Sequence, residues 1–314
     1  MKRVLVLGAA GQIGSELTLA LREKYANENI IAADIKSFSD EKMAQEGPFY
    51  KVNCLEKEAV AEIVNRNKPD TIYHLAAILS AVAEEKPQVA WHVNMNCLQN
   101  VLEVASASGA QVFFPSSIAA FGPSTPADLT PQDTIQRPTT IYGISKVAGE
   151  LLCDYYFQKF GVDTRGLRFP GLISYRTLPG GGTTDFAVDI YYKAAQGEKY
   201  VCYLKNDTKL PMMYMPDAVR AMIELMEANP SKLKHRNAFN IHAFSASPED
   251  FAESIRKVIP DFEIEYQVDP ARQRIAESWP RSLDDSAARK EWGWKHEFDL
   301  DSLTKDMIRN LSKK

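Results

Sequence analysis

Cysteine is scarce in this chain, with four in 314 residues. Cys54, Cys97, Cys153 and Cys202 show no CxxC spacing, which excludes a disulfide framework and a cysteine-held metal cluster. No metal is expected, and the thiols read as buried apolar residues in a reducing compartment. There is no excess of positive charge either: 37 Lys and Arg stand against 41 Asp and Glu, a formal net charge of −4. The basic footprint of a nucleic-acid binder is therefore missing, as is a polybasic membrane patch. No apolar run approaches the roughly 18 residues of a membrane span. Lys2 and Arg3 before Val4–Leu7 imitate the start of a signal peptide, but four apolar residues are too few for its hydrophobic region, and cytoplasm is the expected location. The remaining composition, 45% hydrophobic and 25% charged, is that of a globular protein of about two domains or one large one.

The first half alternates two patterns. Short apolar runs at Val4–Leu7, Ile30–Ala33, Thr71–Leu75, Gln111–Pro115 and 163–168 read as buried strands. Helical spacing occupies 12–24, 56–66, 87–107 and 142–160. Such alternation predicts an α/β fold: a Rossmann-type doubly wound parallel sheet with helices on both faces. After about residue 170 the chain becomes mixed, with a Gly, Pro and Thr-rich loop at 176–184. Helical patterns follow at 185–196, 216–228, 248–258 and 300–312, and short strands at 199–203, 237–241 and 263–266. The expected division is a dinucleotide-binding domain over 1–172 and a smaller mixed α/β substrate-binding region over 173–314. Part of 205–242, around Met213–Asp217, is a candidate to return to the main sheet.

Gly8-Ala-Ala-Gly11-Gln-Ile-Gly14 lies between the first strand and the first helix. Glycines there permit a tight turn and close approach of a pyrophosphate, and the helix N-terminus offers free N–H groups to the anion. Asp34 stands 20 residues beyond Gly14, where a carboxylate accepts hydrogen bonds from an adenosine ribose and repels a 2′-phosphate. NAD is favoured over NADP, although Lys36 two residues on leaves some NADP use open.

Tyr142 and Lys146 are spaced i, i+4 at the start of a helix and share one face. A nearby ammonium stabilises a phenolate, so Tyr142 can serve as general base toward an alcohol. Ser116 and Ser117 end a strand, and Ser117 is the first candidate to hold the alcohol oxygen, with Ser116 in competition. His74 and His92 have no nucleophile to pair with and read as structural.

Taken together, Gly8–Gly14, Asp34, His74–Ala77, Asn94, Ser116-Ser117 and Tyr142–Lys146 resemble the epimerase-like branch of the extended short-chain dehydrogenase/reductases. The stretch 282–294 is similar to that branch's C-terminal motif, so the resemblance covers essentially the whole chain. Within the branch, the run from Ser174 to Tyr191 and the segment Glu277-Ser-Trp-Pro280 look like the short-chain-type L-threonine 3-dehydrogenases. The resemblance implies NAD-dependent oxidation of the β-hydroxyl of L-threonine to 2-amino-3-oxobutyrate, on the way to aminoacetone or glycine.

By the same resemblance, Gly8, Gly11, Gln12, Ile13, Asp34, Ile35, Asn53, Cys54, Leu55, Leu75, Ala76, Ala77, Asn94, Tyr142, Lys146, Phe169 and Leu172 would contact NAD. Asn53 departs from a family pattern that often has Asp there, yet an amide oxygen still accepts from the adenine amino group. Threonine would meet Ser80, Ser117, Tyr142, Gly182, Thr183, Thr184 and Trp279. Gly180–Gly182 can move as a flap, Thr183 and Thr184 offer hydroxyls to a carboxylate, and Trp279 suits a wall over the methyl group. Ser80 has a helix N-cap as its lesser alternative, while Trp279 reads equally as plain core and Arg176 as either a flap residue or a surface ion pair. A homodimer through a four-helix bundle is expected, with Trp91, Leu98, Leu102, Leu151, Leu152 and Tyr155 as its apolar seam. Two alternatives stay open: a nucleotide-sugar epimerase or dehydratase that retains NAD between turnovers, and a non-catalytic dinucleotide sensor.

Overall fold

The computed structural model describes residues 2–38, 41–176 and 180–313. Along the chain run β1 (Val4–Leu7), α1 (Gln12–Tyr25), β2 (Ile30–Asp34), α2 (Glu41–Gln45), β3 (Phe49–Lys51), α3 (Lys57–Asn67), β4 (Thr71–His74), α4 (Ser80–Glu85), α5 (Pro87–Ser108), β5 (Gln111–Ser117), α6 (Ile141–Phe160) and β6 (Thr164–Phe169). They are followed by β7 (Gly171–Ile173), α7 (Phe186–Ala195), β8 (Tyr200–Cys202), β9 (Leu210–Tyr214), α8 (Met215–Glu227), β10 (Phe239–Asn240), β11 (Phe244–Ala246), α9 (Pro248–Arg256), β12 (Ile264–Tyr266), α10 (Pro270–Glu277), α11 (Ser286–Trp292) and α12 (Leu300–Leu311).

Seven strands form the main sheet in the order β10-β6-β5-β4-β1-β2-β3, and every neighbouring pair is parallel. Successive side chains of a strand point to opposite faces, so a sheet covered on both sides needs apolar residues at every position. In β1, Leu5 and Leu7 pack into one cluster with Leu98, Val101 and Leu102 of α5. Val4 and Val6 pack into another, with Leu17 of α1 and Met222 and Leu225 of α8. Each such side chain contributes about 1.5–3 kcal/mol by leaving water, which fixes the register and so the height of every strand end. Strand order reverses at β1, beside β4, and the crevice beyond the carboxyl ends of these strands is where ligands bind in this architecture.

The later segment builds a second layer beside that edge. Strand β9 lies between parallel β7 and antiparallel β11, and β8 pairs with β12. Phe186, Tyr191, Tyr214, Phe251, Leu303 and Met307 form its core. The strand near residue 213 runs over Leu210–Tyr214 and belongs to this small sheet. Pro216, which fits the first turn of a helix, marks the turn into α8. The chain rejoins the main sheet at Phe239–Asn240, beside Leu167 and Arg168 of β6.

Among the described residues no helix is long and apolar enough to cross a membrane, and no group of three or more His, Cys, Asp or Glu is placed to hold a metal ion. All four cysteines are free and buried.

Candidate active site

Two adjoining cavities open along the strand ends. The first, about 270 Å3, is lined by Gly8, Gly11, Asp34, Ile35, Asn53, Cys54, Leu75, Ala76 and Ala77, together with Lys36 and Cys97. Its floor is backbone. Gly8 has φ +85°, and a Cβ there would stand 2.6 Å from the Ala76 nitrogen; one on Gly14 would stand 2.1 Å from the Gly8 oxygen. Only glycine permits this approach of turn, helix and β4. Gly11 caps α1 without a side-chain hydrogen bond, so the first N–H groups of the helix stay available to an anion. Asp34 Oδ2 accepts from Ala10 N at 3.0 Å and Oδ1 from Lys36 N at 2.9 Å. The carboxylate is thereby aimed, with lone pairs to spare for ribose hydroxyls. Asn53 Oδ1 accepts from Leu55 N at 3.1 Å, which leaves its second lone pair for a purine amino group. Leu55 and Asn94 line neither cavity. Asn94 instead clamps the loop after β4, accepting from Ile78 N at 2.8 Å and donating to Ile78 O at 3.1 Å.

The second cavity, about 150 Å3, gathers Gln12, Ile13, Leu75, Ala77, Ser80, Ser117, Tyr142, Lys146, Phe169 and Leu172 with Gly182, Thr183, Thr184, Asp185 and Trp279. Lys146 Nζ lies 5.2 Å from the Tyr142 ring centre and donates to Pro115 O at 2.6 Å. Burial lowers this ammonium to about 8, while Glu150 works the other way. Burial also pushes the Tyr142 phenol up to about 12, partly offset by the Ser117 hydroxyl. Ser117 Oγ accepts from Ala119 N at 3.2 Å, so its proton is free to donate. Ser116 spends its hydroxyl on Glu150 Oε1, which separates the two serine candidates. His74 is buried, and burial followed by the Lys146 charge lowers it to about 3, so it is neutral. Ser80 is the first residue of α4 and makes no capping bond; the cap position belongs to Leu79.

The opposite wall is loop and helix start. Thr183 is buried, and its carbonyl accepts from Tyr203 Oη at 3.1 Å. Trp279 is buried against the C-terminal core. Asp185, which sequence reasoning passed over, is the one carboxylate among the described lining residues. Its Oδ2 accepts from Gly181 N at 2.8 Å and Gly182 N at 2.6 Å. Burial raises its pKa and these bonds oppose the rise. The available signal was an acid placed directly after Thr183-Thr184 and before an apolar helix. Arg176 is outside the cavity, half-exposed, with its Nε 3.9 Å from Glu16 of α1. Thr177, Leu178 and Pro179 of the 174–191 run lie outside the described residues.

Residues 4–241 match the model of the NAD dependent epimerase/dehydratase family. The chain belongs to that family. An uncharacterised epimerase/dehydratase of Staphylococcus saprophyticus is 53% identical over 98% of this chain and 96% of its own. The crystal structure of L-threonine dehydrogenase from Clostridium difficile superposes with a TM-score of 0.98 at 56% identity, covering 100% and 98% of the two chains. The holo form of a GalE-like L-threonine dehydrogenase from Cupriavidus necator gives 0.95 at 51% identity, over 98% and 99%. As in other members of the epimerase/dehydratase family, the cofactor is NAD, and the backbone floor at Gly8 and Gly14, the uncapped α1 and the aimed Asp34 fit it.

Proposed function

We propose that this epimerase/dehydratase family member is an NAD-dependent L-threonine 3-dehydrogenase, converting L-threonine to 2-amino-3-oxobutyrate. The observation that carries the reading is the small second cavity, where Tyr142, Lys146 and Ser117 face Thr183, Thr184, Asp185 and Trp279. At about 150 Å3 it is well below the roughly 300–1,000 Å3 of sites for drug-sized ligands. Its loop side offers two hydroxyls and one carboxylate, a lining that suits the carboxylate and ammonium of a short amino acid. The likeness to L-threonine dehydrogenase structures supports the same choice.

Each residue then has a task. Gly8, Gly11, Gln12 and Ile13 would hold the pyrophosphate of NAD, Asp34 its adenosine ribose, and Ile35, Asn53 and Cys54 its adenine. Bound NAD+ supplies the acceptor for the hydride that leaves the β-carbon. Ser117 donates to the β-oxygen and Tyr142 takes its proton. Lys146 and Tyr142 form one titrating pair: loss of a single proton leaves it either on the phenol or on the amine, and only the form with phenolate and ammonium is a base. Asp185 receives the substrate ammonium, Thr183 and Thr184 the carboxylate, and Trp279 covers the methyl group. The product, a β-keto acid, then loses CO2 or passes to a coenzyme A-dependent cleavage.

We also propose a cytoplasmic homodimer through α5 and α6. Trp91, Leu151 and Tyr155 are exposed on these helices, whereas Leu98, Leu102 and Leu152, expected in the same seam, pack toward the sheet. Sedimentation at micromolar concentration should give twice the monomer mass; a monomer removes this part of the proposal. For the activity, reduced-nicotinamide absorbance is followed with NAD+ and a panel of hydroxy-amino acids. Turnover fastest on L-threonine is expected. Protein that retains NAD through purification and interconverts a UDP-sugar, with no NADH formed from threonine, would replace this reading by the epimerase one.

A further inference from the structure

One turn beyond Lys146 on α6, Glu150 is almost wholly buried, and its carboxylate is held by four donors. Arg168 of β6 gives Nε to Oε1 at 3.0 Å and Nη2 to Oε2 at 2.8 Å. Gln136 Nε2 reaches Oε2 at 2.8 Å, and the Ser116 hydroxyl donates to Oε1. Arg168 is fixed in turn, donating to Gln132 O at 2.8 Å and Asn240 Oδ1 at 3.1 Å. The carboxylate is paired with the Arg168 guanidinium, and its geometry is set by β5, β6 and α6 together.

Pro115 holds Lys146 through its carbonyl, Ser116 holds Glu150, and Ser117 faces the cavity. The same short strand end therefore ties a fixed negative charge to the amine on one side and to the substrate-facing hydroxyl on the other. Resting on the reading of Tyr142 and Lys146 as one titrating pair, we propose that Glu150 is a positioning residue that works against the burial of the amine and so raises the share of the pair's singly protonated form with ammonium and phenolate. Glu150 lies four residues from Lys146 and eight from Tyr142 on the helix, so its charge favours ammonium more than it opposes phenolate. The Arg168 guanidinium offsets part of the Glu150 charge, and the remaining titratable groups around the amine do not compete. His74 from β4 is neutral. On α6 itself, Cys153 is held far above its ordinary range by burial and stays a thiol. Asp154 lies beyond Glu150 and is occupied by Asn237 at 2.8 Å. Phe114 presents a ring face 5.0 Å from the ammonium, which favours its charge.

The test is the acid limb of the kcat/KM profile with NAD+ and threonine, which reports first proton loss from the pair. Removing the negative charge lowers the proton affinity of amine and phenol alike, so Glu150→Gln should move this limb down by about one pH unit while the plateau falls. Because Glu150→Gln strands the Arg168 charge and can prevent folding, the double variant Glu150→Gln/Arg168→Gln is measured beside it; loss of the paired cation offsets part of the effect, so a smaller shift in the same direction is expected. Glu150→Asp, which keeps the charge, should bring the limb back. Ser116→Ala removes a hydrogen bond but no charge, and should leave the limb where it is. A folded double variant that binds NAD and shows an unmoved limb overturns the proposal, as does a limb displaced equally by Ser116→Ala. If the wild type does not oxidise threonine, the reading of the reaction fails by itself. The proposal is then decided by the side-chain 15N titration of Lys146, assigned with Lys146→Met: a midpoint that falls in the double variant supports it, and one that stays overturns it.

Discussion

The two walls of the small cavity are built by different means. On the sheet side, Ser117, Tyr142 and Lys146 stand on the end of a buried parallel strand and the first turns of a 20-residue helix. Lys146 is fixed by the Pro115 carbonyl and Ser117 by the Ala119 N–H. On the other side, Gly180–Asp185 form a short loop. A Cβ on Gly181 would meet nothing within 4 Å, and Asp185 holds the loop by folding its side chain back onto two N–H groups. The first wall suits chemistry, which tolerates little displacement of a base. The second suits selection and closure, which need a segment of low local stability.

Substitutions should divide along that line. The largest effect is expected at the base: Tyr142→Phe should lower kcat by roughly 10²–10⁴-fold with little change in NAD affinity, measured by steady-state kinetics and by titration of the cofactor. Near-normal turnover would take Tyr142 out of the mechanism. Next, Gly8→Ala places a Cβ 2.6 Å from backbone at a left-handed φ. NAD binding should weaken about 10- to 100-fold, which calorimetry would read, and unchanged affinity would mean that the turn can relax. Across the cavity, Asp185→Asn removes a charged partner for the substrate ammonium. KM for threonine should rise about tenfold with kcat changed less. A loss confined to kcat would assign Asp185 to the rigid wall and break the comparison.

The smallest effect at neutral pH concerns stability. The folded pKa of His74 is lowered to about 3 from 6.5, so as pH falls through this window the unfolded chain takes up the proton first. Stability should therefore fall with falling pH by up to about 1.4 kcal/mol per unit from this group. Urea melts of His74→Phe between pH 6.5 and 4 should show a shallower dependence, and an identical slope would contradict the assignment.

Much of the sheet side was legible in advance because its physics is repetitive. Strands buried on both faces are continuous apolar runs, and βα turns carry glycines at set intervals. The loop wall left a fainter trace. Strands β3 and β7 have three residues each, too few for periodicity to register, and α4, α10 and α11 are short helices of similar faintness. A return of the chain to a sheet around Met213–Asp217 was legible, but not which sheet it joins, because both sheets reward the same residues. Asp185 was missed because a lone acid before a helix reads as a cap, whereas here its carboxylate turns back to the preceding loop. Ser116 and Ser117 could be named as a pair, but their division of labour depends on Glu150, 34 residues away.

That division has a consequence for how the chain can change. Neighbouring residues on a strand look in opposite directions, so the doubled serine is not a spare copy. Deleting or inserting one residue in Gln111–Ser117 would exchange inward and outward faces and hand each hydroxyl its neighbour's post. Evolution of new substrates in this scaffold therefore has room to remodel the glycine loop, while the length of that one strand is fixed to the residue.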